Sequence, residues 1–99
     1  MEKLVIINSV SPVREFASTQ NGQVGNVKCI DVTCTDGLNN FVATAFNNVA
    51  QQIIDHPIKM GTLVSADLSF SVRTGKNDKG QEWYAQQVRL NNYSVIVEP

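Results

Sequence analysis

An all-β domain with one short helix is predicted for this chain. Three observations carry the prediction. Apolar and polar residues alternate over several long stretches, as they do in strands with one buried face. Clusters of Gly, Asn, Asp and Pro separate those stretches. The period changes from two to about 3.6 at one place only. With 99 residues, 42% hydrophobic and 17% charged, residues 1–99 fit a single domain with its own core.

The first strand is Leu4-Val5-Ile6-Ile7-Asn8-Ser9-Val10, bounded by Ser11-Pro12. A turn cluster at 20–23 leads into a second strand from Val24 to Thr35. There Lys28, Ile30, Val32 and Cys34 share one face and Val27, Cys29, Asp31 and Thr33 the other. Asp36-Gly37 marks a tight connection to the third strand, Phe41 to Phe46. The helical segment runs from Asn47 to His56, with Val49 and Ile53, and Ala50 and Ile54, at i, i+4. Asn47 or Asn48 is expected to cap it, and Pro57 stops it.

The fourth strand alternates most clearly. Val64, Ala66, Leu68, Phe70 and Val72 face one way, and Ser65, Asp67, Ser69, Ser71 and Arg73 the other. A tip at 75–80 turns it into a fifth strand from about Gln81 to Val97, where Asn91-Asn92 marks a bulge. The interior is expected to hold Val64, Ala66, Leu68, Phe70, Val72, Tyr84, Val88, Leu90, Ile30 and Val32, with Val49 and Ile53 closing one end. Three meandering strands, a helix and a long hairpin follow the order of an OB-fold. That is a five-stranded Greek-key barrel with a helix between strands three and four. The position of the helix favours it over SH3-like barrels and small sandwiches.

Composition narrows the function. Eight Lys+Arg against nine Asp+Glu give a net charge of −1, which excludes a strongly basic grip over the whole molecule and leaves room for a local basic strip. No apolar run approaches the roughly 18–20 residues of a membrane span. The apolar stretch near the start is too short for a signal peptide, so a cytoplasmic protein without membrane association is expected. Cys29 and Cys34 lie on opposite faces of a strand, which suits two reduced cysteines with one packed inside. His56 has no evident nucleophile or carboxylate partner and reads as a helix-end residue facing the dipole. No phosphate loop or hydrolase motif occurs, so no enzyme, metal or cofactor is expected.

Several motifs resemble one family. Phe46-Asn47-Asn48-Val49-Ala50 resembles the aromatic-small-x-aliphatic-Ala start of the helix in bacterial single-stranded DNA-binding proteins, and Lys59-Met60-Gly61-Thr62-Leu63-Val64 their lead-in to strand four. Arg73-Thr74-Gly75-Lys76, Lys79-Gly80-Gln81-Glu82-Trp83-Tyr84 and Val88 are similar to their hairpin. Leu4 to Asn8 with Ser11-Pro12-Val13-Arg14 resembles their first strand and turn. The likeness runs in order over nearly the whole domain. It departs where the family carries base-stacking aromatics: one such position falls on Asn40 or Phe41, another near Asn77. The 36–40 loop is short, and the chain ends at Val97-Glu98-Pro99 without an acidic-tipped tail, as in a divergent, short member.

The resemblance implies a non-catalytic binder of single-stranded DNA, or of RNA, acting as an accessory in replication, recombination or repair. Such binding needs flat π faces for bases and cations along the phosphates. The candidates are Trp83, Phe46 and Phe41 with Arg73, Lys76, Lys79, Arg89 and Arg14. Core or mouth packing stands as the other reading of each aromatic, and a solvated turn as the other reading of the hairpin tip. The resemblance also implies self-association as a dimer or tetramer. Lys3, Leu4, Val5, Ile6, Ile7 and Asn8 are then expected near the interface, because this strand is apolar on both faces. An alternative class is an OB-fold protein-interaction module that has lost nucleic-acid binding.

Overall fold

The structure, a computed structural model, describes residues 1–20 and 22–99, those at 18–20 and 23 by backbone alone. Six strands and one helix follow in the order β1 (Glu2–Val10), β2 (Arg14–Gln20), β3 (Gln23–Thr35), β4 (Asn40–Phe46), α1 (Asn47–Asp55), β5 (Leu63–Lys76) and β6 (Glu82–Val97). The expected all-β fold with its helix before the long hairpin is present. The strand missing from the sequence reading is β2. Its sequence, from Arg14 to Gln20, has little apolar alternation, and its pairing with β3 makes it a strand. Of the turn expected at 20–23, Asn21 lies outside the described residues.

Counted topologically, the barrel still has five strands. β1 and β2 lie end to end along the same edge of β3, with Val10 opposite Val32 and Arg14 opposite Cys29. β1 pairs with β5 through Glu2–Ile6 and with β3 through Ile6–Val10, so the strand closes the sheet on itself. The ring β1–β3–β4–β6–β5 is complete. Its weakest seam is the parallel contact of β4 with β6, which is confined to Thr44 opposite Arg89 and Ala45 opposite Leu90.

The core follows strand parity within this ring. Val5, Ile7, Ile30, Val32, Cys34, Ala43, Ala45, Val64, Ala66, Leu68 and Leu90 are buried, with Ala50 and Ile53 of α1 closing one end. Val49 and Val88 pack against them partly buried. Three residues expected inside are not. Phe70 is 44%, Val72 63% and Tyr84 69% exposed. They lie on the inward parity, but β5 and β6 run past the end of the barrel as a two-stranded arm: Phe70 has the Phe41 ring beside it at the barrel mouth, and Val72 and Tyr84 lie further out along the arm.

Two further expectations change. Neither Asn47 nor Asn48 caps α1: the N-cap is Phe46, with no side-chain hydrogen bond. Asn47 instead takes the left-handed conformation, φ 48°, which asparagine tolerates and which turns the chain sharply from β4 into the helix. Both cysteines, rather than one, are buried, and both are free. Cys29 is on the outer parity of β3, covered where its neighbours in register are Arg14 and Phe46. Burial, with the nearby Asp36 carboxylate, pushes the Cys34 thiol up to about 11, so it stays protonated and unreactive. The bulge expected at Asn91-Asn92 is present: Asp67 faces Asn92 and Leu68 faces Leu90, leaving Asn91 over.

Candidate functional site

The outward residues of four adjacent strands fall into one row. Asp31 of β3 faces Thr44 of β4, Thr44 faces Arg89 of β6, and Arg89 faces Ser69 of β5. Hydrogen bonds fix the β3 end of this row. Asp31 accepts from the Arg14 guanidinium at 2.9 Å and from the Thr44 hydroxyl at 3.0 Å, and its backbone N–H donates to the Ser11 hydroxyl. At the β5 end the Ser69 hydroxyl accepts from the Asn91 carboxamide at 2.6 Å, and between the ends the Arg89 guanidinium lies 5.1 Å from the centroid of the Phe46 ring, within cation–π range. Between β4 and β6, where the seam opens, a cleft of about 480 Å³ is lined by Val42, Thr44, Phe46, Gln87 and Arg89 among others.

The same face continues along the arm. Ser71 faces Gln87, Arg73 faces Ala85, and Gly75 faces Trp83, each pair on the same side as Ser69 and Arg89. Six residues of strand separate Ser69 from Gly75, roughly 20 Å at 3.3 Å per residue. Arg73 and Arg89 therefore lie along one ledge that ends at Trp83, which is 42% exposed. Neither arginine has a carboxylate within 4.0 Å among the described residues.

The eight residues proposed from sequence divide by this geometry. Trp83, Arg73, Arg89 and Phe46 share the ledge. Arg14 borders it, with its charge committed to Asp31. Lys76 pairs with Glu82 on the opposite face of the arm, with Thr74 and Tyr84. Lys79 is exposed in the tip, a turn organised by the Asn77 carboxamide oxygen, which accepts from the N–H groups of Lys79 and Gln81. Phe41 lies on the inner parity of β4, its ring 6.5 Å from that of Phe70. Thr44, Val42 and Gln87 line the site and were missed. Their signal is the parity of β4, whose buried Ala43 and Ala45 turn Val42, Thr44 and Phe46 outward.

A second cleft, of about 460 Å³, lies at the mouth of the barrel and includes Lys3, Asp36, Phe41, Phe70 and Val88. One edge is set by Asp36. Its carboxylate accepts from the N–H groups of Leu38 and Asn39 and pairs with Lys3 at 2.9 Å. The Asn39 N–H first, then Lys3 and the Leu38 N–H, hold this carboxyl well below the usual carboxylate range. On β1, Val5 and Ile7 are buried, while Leu4 and Ile6 are exposed. Ile6 faces Leu63, which faces the exposed Val97, so the apolar surface extends across β5 to β6.

A ring closed in this order, with its helix between the third and fourth barrel strands, is the architecture of an OB-fold. No family model and no curated protein matches the sequence. Among solved structures, the chain is similar to Rim1, a mitochondrial single-stranded DNA binding protein from S. cerevisiae. The TM-score is 0.60 at 13% identity, over 100% of this chain and 95% of that one. At this identity the likeness speaks for the fold.

Proposed function

We propose that this chain is a non-catalytic binder of single-stranded DNA that holds the strand on the ledge from Phe46 and Arg89 to Arg73 and Trp83. The observation that carries the reading is the alignment of two aromatics and two arginines, neither with a carboxylate partner among the described residues, on one face that runs from the barrel seam out along the arm. Bases have a π surface in Trp83 whatever their identity, so the binding is tolerant of sequence. Arg73 and Arg89 supply the cations for phosphates. The acids nearby interfere little. Asp31 is neutralised by Arg14, and Glu82 is on the far face of the arm, accepting a hydrogen bond from Tyr84. The similarity in fold to a mitochondrial single-stranded DNA binding protein supports the same reading. So does the sequence resemblance to the bacterial family, whose accessory role in replication, recombination or repair is the one proposed for this chain.

Assembly is part of the proposal. Leu4 and Ile6 are exposed on a strand whose other face is already buried, and a second copy of the chain would cover them. We place at least a dimer here, and light scattering that returned a monomer at micromolar concentration would remove it.

Fluorescence of the sole tryptophan tests the binding directly. Titration with oligo(dT) should quench Trp83, with affinity falling steeply as salt rises because phosphate contacts release counterions. RNA of the same length is the competitor to compare. A chain that binds neither polymer at low salt would leave the second reading, a protein-interaction module. That reading is favoured by the exposed Phe70, Val72 and Tyr84 on the opposite face of the arm.

A further inference from the structure

We infer that Gly75 is a positioning residue for Trp83, holding the indole laid against the arm so that its exposed part forms a ready stacking surface for a nucleobase. The inference rests on the single-strand reading above and adds to it the residue that prepares the platform. A Cβ at Gly75 would lie 2.4 Å from Cζ2, 2.6 Å from Cε2 and 2.9 Å from Nε1 of Trp83. The indole thus occupies the space where any other residue would carry its side chain.

Backbone conformation does not account for this glycine. The glycines in the left-handed region are Gly22, Gly37, Gly61 and Gly80; Gly75 is in ordinary strand geometry, directly opposite Trp83. A glycine inside a strand weakens it, and one use of such a position is the close approach of another group. Gly25, also in a strand without a positive φ, meets nothing within 4 Å, and Gly61 meets Pro99 only at 3.6 Å, so among the described glycines an approach closer than 3 Å is particular to Gly75. Gly75 is also partly covered, whereas Arg73, Thr74 and Lys76 beside it are exposed.

The consequence for binding is entropic. An indole on an exposed arm would otherwise sample several rotamers, and a base stacking on it would have to stop that motion. Seating the ring before the ligand arrives removes that cost from binding. Gly75→Ala should therefore act on Trp83 without acting on the cations.

The experiment uses the full chain and four proteins: parent, Gly75→Ala, Trp83→Ala and the double variant. Each is titrated with oligo(dT) and, separately, with inorganic polyphosphate, a polyanion that has no bases to stack. Near-ultraviolet circular dichroism and tryptophan emission report the ring in the free protein. Gly75→Ala should change both spectra, lower oligo(dT) affinity at least about fivefold and reduce the amplitude of quenching. Polyphosphate affinity should not change, and the double variant should bind oligo(dT) as Trp83→Ala does, because removing the ring removes the clash. If Gly75→Ala unfolds the arm, the double variant, free of the clash, should restore the fold with the affinity of Trp83→Ala. Parental affinity and quenching in Gly75→Ala would overturn the inference and leave the single-strand reading standing. An equal loss from Gly75→Ala in the Trp83→Ala background would also overturn it, since the effect would then belong to the backbone. A parent that binds polyphosphate but not oligo(dT) would overturn the single-strand reading and this inference together.

Discussion

The two halves of β5 carry the same alternation and live in different surroundings. From Val64 to Leu68 the inward residues are sealed, with Leu68 1% exposed. Two residues further along the same parity Phe70 is 44% exposed, with the Phe41 ring on its covered side, and Val72 is 63% exposed. The difference is the third layer. In the first half, β1 pairs beside β5 and the opposite barrel wall covers the face; in the second half only β6 accompanies it. Burial in this molecule is therefore a property of the ring, and the arm is free to spend its side chains on something other than stability.

That contrast is most sharply tested by paired truncations. Leu68→Ala should cost about 2–5 kcal/mol in urea denaturation, because it leaves a cavity in a closed ring. Val72→Ala should fall within about 0.5 kcal/mol of the parent, as an exposed substitution. Equal losses at the two sites would mean that the arm folds back on the barrel or is covered by another chain.

Trp83→Ala should reverse the pattern. Binding to oligo(dT) should weaken by about 1–3 kcal/mol, while the urea midpoint hardly moves. A large fall in stability would make Trp83 a packing residue of the arm and not a binding surface.

The two faces of the arm can be separated by charge. Arg73→Ala removes a cation from the ledge and should reduce the slope of log affinity against log salt by about 0.7, the value for one phosphate contact on a single strand. Lys76→Ala, on the opposite face beside Glu82, should change the slope less. The reverse order would put the strand on the apolar face of the arm.

The smallest effect belongs to the barrel loop. Asp36 has its carboxyl pKa lowered from an ordinary 3.8 by the N–H groups it accepts from and by Lys3. A lowered folded-state pKa gives stability that is fully present above the unfolded value and is lost as pH falls through that value towards the folded one. Thermal midpoints should therefore drop below about pH 4, and Asp36→Asn should flatten that part of the profile. A variant with the parental acid profile would mean that Asp36 contributes nothing to it. Oligo(dT) affinity at neutral pH should be unaffected in this variant, since Asp36 is at the barrel mouth and away from the ledge.

Much of this was legible in the residues. Strand alternation, clearest at Val64, Ala66 and Leu68, placed five strands, the change of period at Asn47 placed the helix, and the two out-of-step asparagines at 91–92 placed the bulge, because a pleated strand must send neighbours to opposite faces. Parity along the last strand, where Trp83 and Arg89 are six residues apart, puts both on the side away from Val88 and Leu90, and the pairing with β5 puts Arg73 there too. Parity could not show that Phe46 lies beneath the Arg89 guanidinium, since that contact joins β4 to a strand more than forty residues away. Nor could it show that Arg14 is tied to Asp31, which depends on β2, a strand formed by pairing and not by its own pattern.

The sequence by itself determined which parity is apolar in the strands that alternate, such as β5, and where the single helix falls, since both follow from the local period of the chain. Only the tertiary structure decided how far along each strand the apolar face is covered. That depends on where the ring closes and where β5 and β6 outrun it, and so Phe70, Val72 and Tyr84 keep a core pattern without a core. It also decided that Gly75 faces an indole. A glycine reads the same in any strand, and the reason for this one is an atom of Trp83 brought to within 2.4 Å of the Cβ it lacks.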